Sequence, residues 1–400
     1  MTEIHQTGNP ILNSKCRREC LSGTNSISLY IHIPFCLRKC RYCDFLSAAR
    51  PEAEQERYVQ ALIREVRSQT DCPAGTPADT VFFGGGTPSI LSGEQIGRIM
   101  EALREKFDIF PDAEISLEMN PGTADADKIL EFKKAGINRL SMGVQSMHDR
   151  ELRLLGRIHT VREAKEAFDT ARAAGFENIN IDLMSALPGQ TFESWKDSLR
   201  AAVEWKPEHI SAYSLIIEPG TPFCDLYEEG KLAPLPDEET DREMYHYTRD
   251  FLARHGYARY EISNYALPGR ECRHNSGYWT GHPYLGFGIG AASYVNGTRF
   301  SNPTDIKTYT ETFGQPVRAD IHLLSEDEKM EEFMFLGLRM TAGVNAELFR
   351  ERFGRTLEEV YGSLIRRHIA QGLLEETEEG FCLTEKGTDV SNYVMSDYLL

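Results

Sequence analysis

The sequence predicts an α/β fold: an open six-unit (β/α)6 partial TIM barrel followed by a small C-terminal winged-helix-like domain. Six short apolar runs alternate with amphipathic helical stretches between residues 28 and 216. This alternation is typical of parallel strands joined by crossover helices. The pattern changes after the sixth unit, too early for a closed barrel of eight units. Residues 320–400 follow a different order, with helices first and strand-like runs last.

The strands are predicted from the short apolar runs, and the helices from apolar residues at helical spacing. The six predicted core strands are Leu29–Ile33, Thr80–Phe83, Ile115–Met119, Arg139–Val144, Asn178–Leu183 and Ile210–Ile216. The helices between them include Gln55–Ser68, Gln95–Phe107, Ala164–Ala173 and Phe192–Glu204. A further strand is expected at Ala258–Ser263. The C-terminal module is predicted to contain helices Glu326–Met340, Asn345–Phe353 and Thr356–Gln371 and strands Leu373–Thr377 and Phe381–Thr384.

Changes in composition divide the chain into four regions. Residues 1–27 are polar and are expected to form a flexible arm, in which Cys16 and Cys20 lack a third partner. Residues 28–230 form the predicted core. Residues 231–315, richer in Pro, Gly and aromatic side chains, are expected to cap it. Residues 316–400 form the C-terminal domain.

The composition favours some classes of protein and argues against others. A chain of 400 residues with 41% hydrophobic content can bury a large core and form two or three domains. A net charge of −17 argues against broad electrostatic binding to nucleic acid or anionic lipid. An odd number of cysteines, nine, is typical of a reducing cytoplasm. No secretory signal and no membrane-spanning run is visible in the sequence.

The charge of the C-terminal module bears on what it binds. Winged-helix modules often read DNA, but residues 320–400 contain 17 acidic against 8 basic residues. A net charge of −9 lacks the basic footprint that DNA requires. An intramolecular cap or a protein-docking surface is therefore expected.

Three cysteines follow the first predicted strand in C-x3-C-x2-C spacing. They are Cys36, Cys40 and Cys43. A tetrahedral zinc site needs a fourth ligand, and none follows at matching spacing, although an incomplete zinc knuckle or a set of buried free thiols stays an alternative. In a [4Fe–4S] cluster, three thiolates leave one iron open to a small molecule that chelates through an amine and a carboxylate. With Tyr42 before the last cysteine, the motif resembles that of the radical-SAM superfamily, which binds S-adenosylmethionine (SAM) in this way.

Polar and glycine residues follow the other predicted strands at the edge where parallel α/β barrels bind ligands. The run Gly84-Gly85-Gly86-Thr87-Pro88 lets backbone groups approach a ligand without obstruction by side chains. A carboxylate at a strand end can accept both hydroxyls of a ribose, and a guanidinium can bind a carboxylate bidentately. The candidates are Glu118 and Gln145 at strand ends, Arg157 further along after the fourth strand, and Asp182 inside the otherwise apolar fifth strand.

These motifs together resemble the family of oxygen-independent coproporphyrinogen III oxidases, from residue 28 through the C-terminal module. The resemblance implies a radical-SAM core in which Cys36, Cys40 and Cys43 bind a [4Fe–4S] cluster. Contacts to the cluster-bound SAM are implied for Tyr30, Gly85 and Glu118, with Tyr42 beside the last cysteine. Positions that hold a second SAM in the dehydrogenases of the family match Gly86, Thr87, Gln145, Arg157 and Asp182.

Two departures from the dehydrogenase pattern favour the HemW-type heme chaperone branch of this family. Dehydrogenases carry a fourth cysteine two residues after the third, where this chain has Phe45. The chain also contains the H-N-x-x-Y-W motif of the chaperone branch, His274-Asn-Ser-Gly-Tyr278-Trp279. The resemblance thus implies a cytoplasmic protein that binds heme as cargo and delivers it to apo-heme proteins such as cytochromes. The cluster and SAM would organise or gate this transfer, and a homodimer is compatible with the sequence.

Within the second motif, His274 is the predicted axial ligand of the heme iron, since imidazole is a common ligand there. Tyr278 and Trp279 could stack on the porphyrin. The structural alternative is a histidine whose hydrogen bonds are satisfied beside core aromatics.

Three other functions stay open at the level of the sequence. A coproporphyrinogen III dehydrogenase would convert two propionates to vinyls, and the retained second-SAM positions favour it. A heme-degrading radical-SAM methyltransferase would consume the heme that it binds. A winged-helix regulator with an iron–sulfur sensor would bind DNA, which the acidic C-terminal module argues against.

Overall fold

The structure, a computed structural model, describes residues 26–312 and 318–399. The predicted arm, residues 1–27, lies outside the described residues except for its last two, and Ile27 already begins the first strand. Cys16 and Cys20 also lie outside the described residues.

Six parallel strands in chain order form the centre of a twelve-stranded sheet. They are β1 (Ile27–Ile33), β2 (Thr76–Gly85), β3 (Phe107–Met119), β4 (Arg139–Gln145), β5 (Ile179–Ser185) and β6 (His209–Ser214). The sheet ends in two separate edge strands and does not close on itself. The predicted open arrangement of six (β/α) units is therefore confirmed.

Later segments extend the sheet at both edges. The antiparallel strands β7 (Ala258–Arg259) and β8 (Asn264–Ala266) follow β6. On the other side, β9 (Tyr284–Phe287) pairs in parallel with β1 and is followed by β10 (Ala292–Val295), β11 (Thr298–Ser301) and β12 (Ala319–Leu323). The single strand expected at 258–263 is interrupted, because the buried carboxylate of Glu261 accepts hydrogen bonds from the Ser263 backbone (2.8 Å) and the Asn264 side chain (2.6 Å).

Ten helices are described before the C-terminal domain. They are α1 (Glu52–Ser68), α2 (Gly93–Lys106), α3 (Ala126–Ala135), α4 (Asp149–Leu155), α5 (Val161–Ala173), α6 (Phe192–Glu204), α7 (Pro222–Glu228), α8 (Glu238–Arg254), α9 (Arg273–Trp279) and α10 (Ile306–Glu311). Side-chain caps explain several starts: Ser92, Thr160 and Thr191 each accept a hydrogen bond from the third residue of the helix that follows.

The two faces of the sheet differ in chemistry, because side chains alternate along each strand. On one face Leu29, Val81, Leu117, Leu140 and Ile181 join helix residues in the main hydrophobic core. The opposite face is largely polar. It includes Tyr30, His32, Glu114, Ser116, Glu118, Arg139, Ser141, Asn180, Asp182, His209 and Ser211. A polar face at this depth requires partners, and these side chains build the candidate site.

The C-terminal domain has its own core and sheet. It contains α11 (Glu326–Gly337), α12 (Ala346–Phe353), α13 (Leu357–Ala370), α14 (Glu385–Asp389) and α15 (Ser391–Ser396) with strands β13 (Val344–Asn345), β14 (Leu374–Glu376) and β15 (Gly380–Leu383). The strands pair in the order β13-β15-β14, all antiparallel. Three helices followed by a two-stranded wing agree with the predicted winged-helix-like domain. No helix among the described residues is long and apolar enough to cross a membrane.

Candidate functional site

The cysteine loop lies at the carboxyl end of β1 and is fixed to its neighbours by backbone hydrogen bonds. Arg41 N–H donates to Leu155 O at the end of α4 (3.0 Å), and Arg41 O accepts from Phe223 N–H in α7 (3.0 Å). All three predicted ligands, Cys36, Cys40 and Cys43, are free thiols and are half-buried. The loop therefore presents three sulfur atoms close to the ends of the core strands.

Each thiol has a hydrogen-bonding neighbour of its own. Cys36 Sγ lies 3.5 Å from Thr87 Oγ1, and Cys40 Sγ accepts a hydrogen bond from Arg157 Nη1 (3.6 Å). Burial raises the pKa of Cys43 to about 11, although the backbone N–H of Phe45 opposes this shift. In the metal-free loop the Cys43 thiol is therefore protonated at neutral pH, and a metal has to displace the proton.

The donor chemistry of the loop fits an iron–sulfur cluster. Across residues 26–312 and 318–399, no three His, Cys, Asp or Glu side chains converge closely enough to hold a single metal ion. A cube of four irons needs thiolates spread over its corners, and soft sulfur donors select iron–sulfur clusters over hard cations. Cys36, Cys40 and Cys43 are the residues that would hold such a cluster.

The glycine run at the end of β2 approaches the cysteine loop more closely than any other residue type could. Gly85 has φ +112°, and an added Cβ would lie 2.6 Å from the ring of His32. At Gly86 an added Cβ would lie 2.6 Å from Phe35 O. Thr87 is buried, and its hydroxyl accepts a hydrogen bond from Asn120 Nδ2 (2.8 Å). Backbone groups, not side chains, therefore line this part of the site.

A pair of carboxyl groups lies on the polar face of the sheet, on strands β3 and β5, with β4 between them. Glu118 on β3 accepts a hydrogen bond from Gly85 N–H (3.1 Å), and Asp182 on β5 accepts one from Asn180 Nδ2 (2.7 Å). Burial, together with the negative charge of Asp182, raises the pKa of Glu118 to about 8. Burial also raises the pKa of Asp182. At neutral pH the Glu118 carboxyl therefore keeps its proton, and the remaining acceptor positions of the pair can take hydrogen bonds from hydroxyls such as those of a ribose.

Arg157 lies between the cysteine loop and the strand ends and is 9% exposed. Its Nη2 donates to Asn120 Oδ1 (2.7 Å) and to Gly143 O (2.5 Å), while its Nε is buried without a hydrogen-bond partner. An unpartnered donor of a buried cation is costly, so the guanidinium has capacity for an anionic ligand.

The remaining predicted residues border the same space. Gln145 ends β4 with φ +71°, a strained backbone conformation for this residue type, and its side-chain oxygen accepts a hydrogen bond from Tyr213 (3.1 Å). The Tyr30 hydroxyl lies 3.1 Å from His32 Nδ1. Burial and, to a lesser degree, the negative charge of Glu118 raise the pKa of Tyr30. Burial also raises the pKa of Tyr42, which packs against Leu155 and its neighbours.

His274 borders this group through Tyr30, with 6.3 Å between the two ring centroids, and it lies at the start of α9 on the polar face of the sheet. The buried carboxylate of Glu114 fixes the helix start by accepting from the backbone N–H groups of Arg273 and His274 (both 3.1 Å). The His274 ring is 1% exposed and stacks on Phe82 with 5.0 Å between centroids. Burial lowers its pKa to about 3, so the imidazole is neutral at physiological pH.

Both ring nitrogens of His274 have partners. Nδ1 lies 2.7 Å from Thr80 Oγ1, and Nε2 lies 2.9 Å from Tyr278 Oη. In this conformation neither nitrogen is free to bind iron. Heme ligation by His274 stays a prediction, and it requires the Tyr278 side chain to move.

Sequence reasoning missed two residues of the site. Asn120 bridges Thr87 and Arg157, and Tyr213 positions Gln145. Asn120 comes two residues after Glu118, so the strand-end rule could have identified it. Tyr213 lies inside the predicted sixth strand, where that rule gives no signal.

Comparison with known proteins places this geometry in a family. The model of the radical SAM superfamily matches residues 30–202, and that of the HemN C-terminal domain matches residues 324–390. The chain is 40% identical to a Bacillus subtilis protein named heme chaperone HemW, over 93% of this chain and 99% of that protein. It is 38% identical to the protein of the same name from Lactococcus lactis, over 93% and 97% of the two chains.

A solved structure shares the fold over the full length. It is the Escherichia coli coproporphyrinogen III oxidase HemN, described as a radical SAM enzyme, with a TM-score of 0.81, 24% identity and coverage of 96% of this chain and 93% of that one. At this level of identity the match supports the fold alone. The family matches and the full-length identity to the HemW proteins support a closer relationship: the chain belongs to the radical SAM superfamily and, within it, to the HemW family.

Proposed function

We propose that this protein is a heme chaperone, which binds heme as cargo and delivers it to apo-heme proteins such as cytochromes. The observation that carries the proposal is identity of 38–40% over 93% of the chain to proteins named heme chaperones. The proposed location is the cytoplasm, and a homodimer is one proposed state. The acidic C-terminal domain offers a surface for protein partners, because its charge is unsuited to nucleic acid.

We assign the strand-end site to a [4Fe–4S] cluster and SAM. Cys36, Cys40 and Cys43 would hold the cluster, which when bound supplies an open iron and a route for reductive cleavage of SAM. Gly85 lets the backbone approach SAM closely, and the carboxyl pair of Glu118 and Asp182 offers acceptors for ribose hydroxyls.

Further contacts to SAM are proposed for the residues that border the same space. The free Nε of Arg157 suits a carboxylate. The other proposed contacts are Tyr30, Tyr42, Gly86, Thr87 and Gln145. Some of the proposed SAM contacts are also the positions that hold a second SAM in the dehydrogenases of the family: Gly86, Thr87, Gln145, Arg157 and Asp182.

The heme site is proposed at His274, with Tyr278 and Trp279 as aromatic neighbours of the porphyrin. The neutral imidazole supports this assignment, since an uncharged nitrogen is the form that binds iron. Phe45 supports the chaperone over a dehydrogenase: it is 62% exposed in the cysteine loop, where the dehydrogenase pattern has a fourth cysteine.

An anaerobic titration of the cluster-reconstituted protein with heme, followed by SAM and reductant, tests the proposal. A stoichiometric Soret band that survives SAM addition supports the chaperone. A heme spectrum that decays with SAM indicates a heme-degrading enzyme instead. Absence of saturable heme binding contradicts the proposal, and coproporphyrinogen III would then be the substrate to test for conversion of propionates to vinyls.

A further inference from the structure

We propose that the phenol of Tyr278 occupies the same nitrogen of His274 that heme iron would bind, so that heme and Tyr278 compete for this atom. The inference rests on the proposed function and adds a control element to it. Tyr278 Oη lies 2.9 Å from His274 Nε2, and the two rings meet edge to face with 5.1 Å between centroids. The tyrosine of the motif is therefore an internal partner of its histidine.

The partner on the other side of the ring is compatible with the tautomer that this competition needs. A neutral imidazole carries one N–H, and iron binds the nitrogen that lacks it. Thr80 Oγ1, 2.7 Å from Nδ1, can accept that N–H and thereby hold the proton on Nδ1. Nε2 then accepts the phenol hydrogen of Tyr278. Iron would take the place of this hydrogen, and no proton would have to leave the histidine.

Tyr278, not His274, is the side chain that can move. The imidazole stacks on Phe82 and bonds Thr80, both on β2, and it is 1% exposed. Tyr278 lies in the last turn of α9 and is half-buried, with its ring edge-on to Tyr284 at 4.7 Å between centroids. Displacement of the phenol would expose Nε2 while the histidine keeps its position.

The C-terminal domain holds the Tyr278 side chain against His274 through Tyr284. The Tyr284 hydroxyl accepts a hydrogen bond from Arg299 Nη1 (2.7 Å). Arg299 in turn forms a two-pronged ion pair with Glu332 of α11, at 2.8 and 2.7 Å. A contact that loosens this domain therefore favours release of Tyr278.

The neighbouring residue of the motif is held by the same domain. The guanidinium of Arg339 covers the ring of Trp279 at 4.3 Å. The last two residues of α9 are thus both held from the C-terminal domain, and this connects heme binding to whatever docks on that domain.

Anaerobic heme titrations of the full-length, cluster-reconstituted protein test the competition. Tyr278→Phe keeps the ring and removes the phenol oxygen, so we expect it to bind ferric heme about fivefold more tightly, the effect of one neutral hydrogen bond. Glu332→Gln should shift the affinity in the same direction by less. Tyr393→Phe, on an exposed tyrosine of the C-terminal domain, is the matched control and should leave the affinity unchanged.

The outcomes separate this inference from the proposed function. Unchanged or weaker heme binding in Tyr278→Phe overturns the competition. An identical heme spectrum in His274→Ala and the unaltered protein overturns it too, but leaves the chaperone proposal standing. Failure of every variant to bind heme overturns both.

A measurement on the heme-free, unaltered protein tests the inference without relying on correct folding of His274→Ala. Nitrogen-15 spectra of the histidine side chains should show the proton of His274 on Nδ1. A proton on Nε2 would make the imidazole the donor to Tyr278 and would overturn the inference.

Discussion

Gly85 N–H donates a hydrogen bond to Glu118 Oε2 over 3.1 Å, which joins the glycine run of β2 to the carboxyl pair of the site. The bond forms because Gly85 adopts φ +112°, a conformation that other residue types rarely adopt. The same residue has no room for a side chain, since an added Cβ would lie 2.6 Å from His32. One glycine thus sets the position of both a backbone donor and an acidic side chain.

Gly85→Ala is therefore expected to disturb the site and to destabilise the fold. The positive φ and the contact with His32 should together cost about 1–3 kcal/mol of unfolding free energy. Binding of SAM to the cluster-reconstituted protein should be lost or strongly weakened. Urea unfolding and calorimetric titration with SAM measure the two effects.

Gly97 provides the control for this substitution. It lies in α2, and an added Cβ would meet nothing within 4 Å. Gly97→Ala should stabilise the protein by about 0.5–1 kcal/mol, because alanine favours the helix, and should leave SAM binding unchanged. Equal effects of the two substitutions would contradict a specific role for Gly85.

Replacement of the loop cysteines tests the assignment of the cluster. Cys36→Ala, Cys40→Ala and Cys43→Ala should each abolish or greatly reduce iron and sulfide content after anaerobic reconstitution. Cys224→Ala is the control, because Cys224 is also a half-buried free thiol but lies in α7 outside the motif. Retention of a full cluster by all three loop variants would show that other residues bind the iron.

The raised pKa of Glu118 predicts a pH dependence of stability. Its ordinary value is 4.5, and burial together with Asp182 raises it to about 8 in the folded protein. Between these two values the folded protein keeps a proton that the unfolded chain releases, so the free energy of unfolding falls as pH rises. The contribution is fully present below pH 4.5 and is lost as pH passes through about 8.

Urea unfolding of the cluster-free protein at several pH values in this window measures the slope. Glu118→Gln should make the slope shallower, because the amide does not titrate. Glu101→Gln, on the exposed face of α2, should leave it as it is. A slope that is equal in all three proteins would show that Glu118 is not the titrating group.

The sequence predicted the six parallel units and the residues at their ends because both depend on local patterns. Strand period, helix period and the position after a strand can all be read along the chain. Partners far apart in sequence could not be read in this way. Thr80 and Tyr278 differ by almost two hundred positions, and only packing of α9 against β2 places both on the ring of His274. For the same reason the sequence did not reveal the extension of the sheet by β7 to β12.

Glu65 is another such long-range partner, and it leads to the last prediction. This carboxylate on α1 is fully buried and accepts hydrogen bonds from Gly288 N–H (2.9 Å), Asn302 Nδ2 (2.7 Å) and Tyr309 Oη (2.5 Å). These hydrogen bonds connect the segment that contains β9 to β12 with the core helix α1.

Glu65→Ala would leave three buried donors unpaired and should cost on the order of 3 kcal/mol or more in unfolding free energy. Glu101→Ala, on an exposed carboxylate, should change it by less than about 0.5 kcal/mol. If urea unfolding shows a similar small loss for both variants, the Glu65 hydrogen bonds do not hold the edge of the sheet.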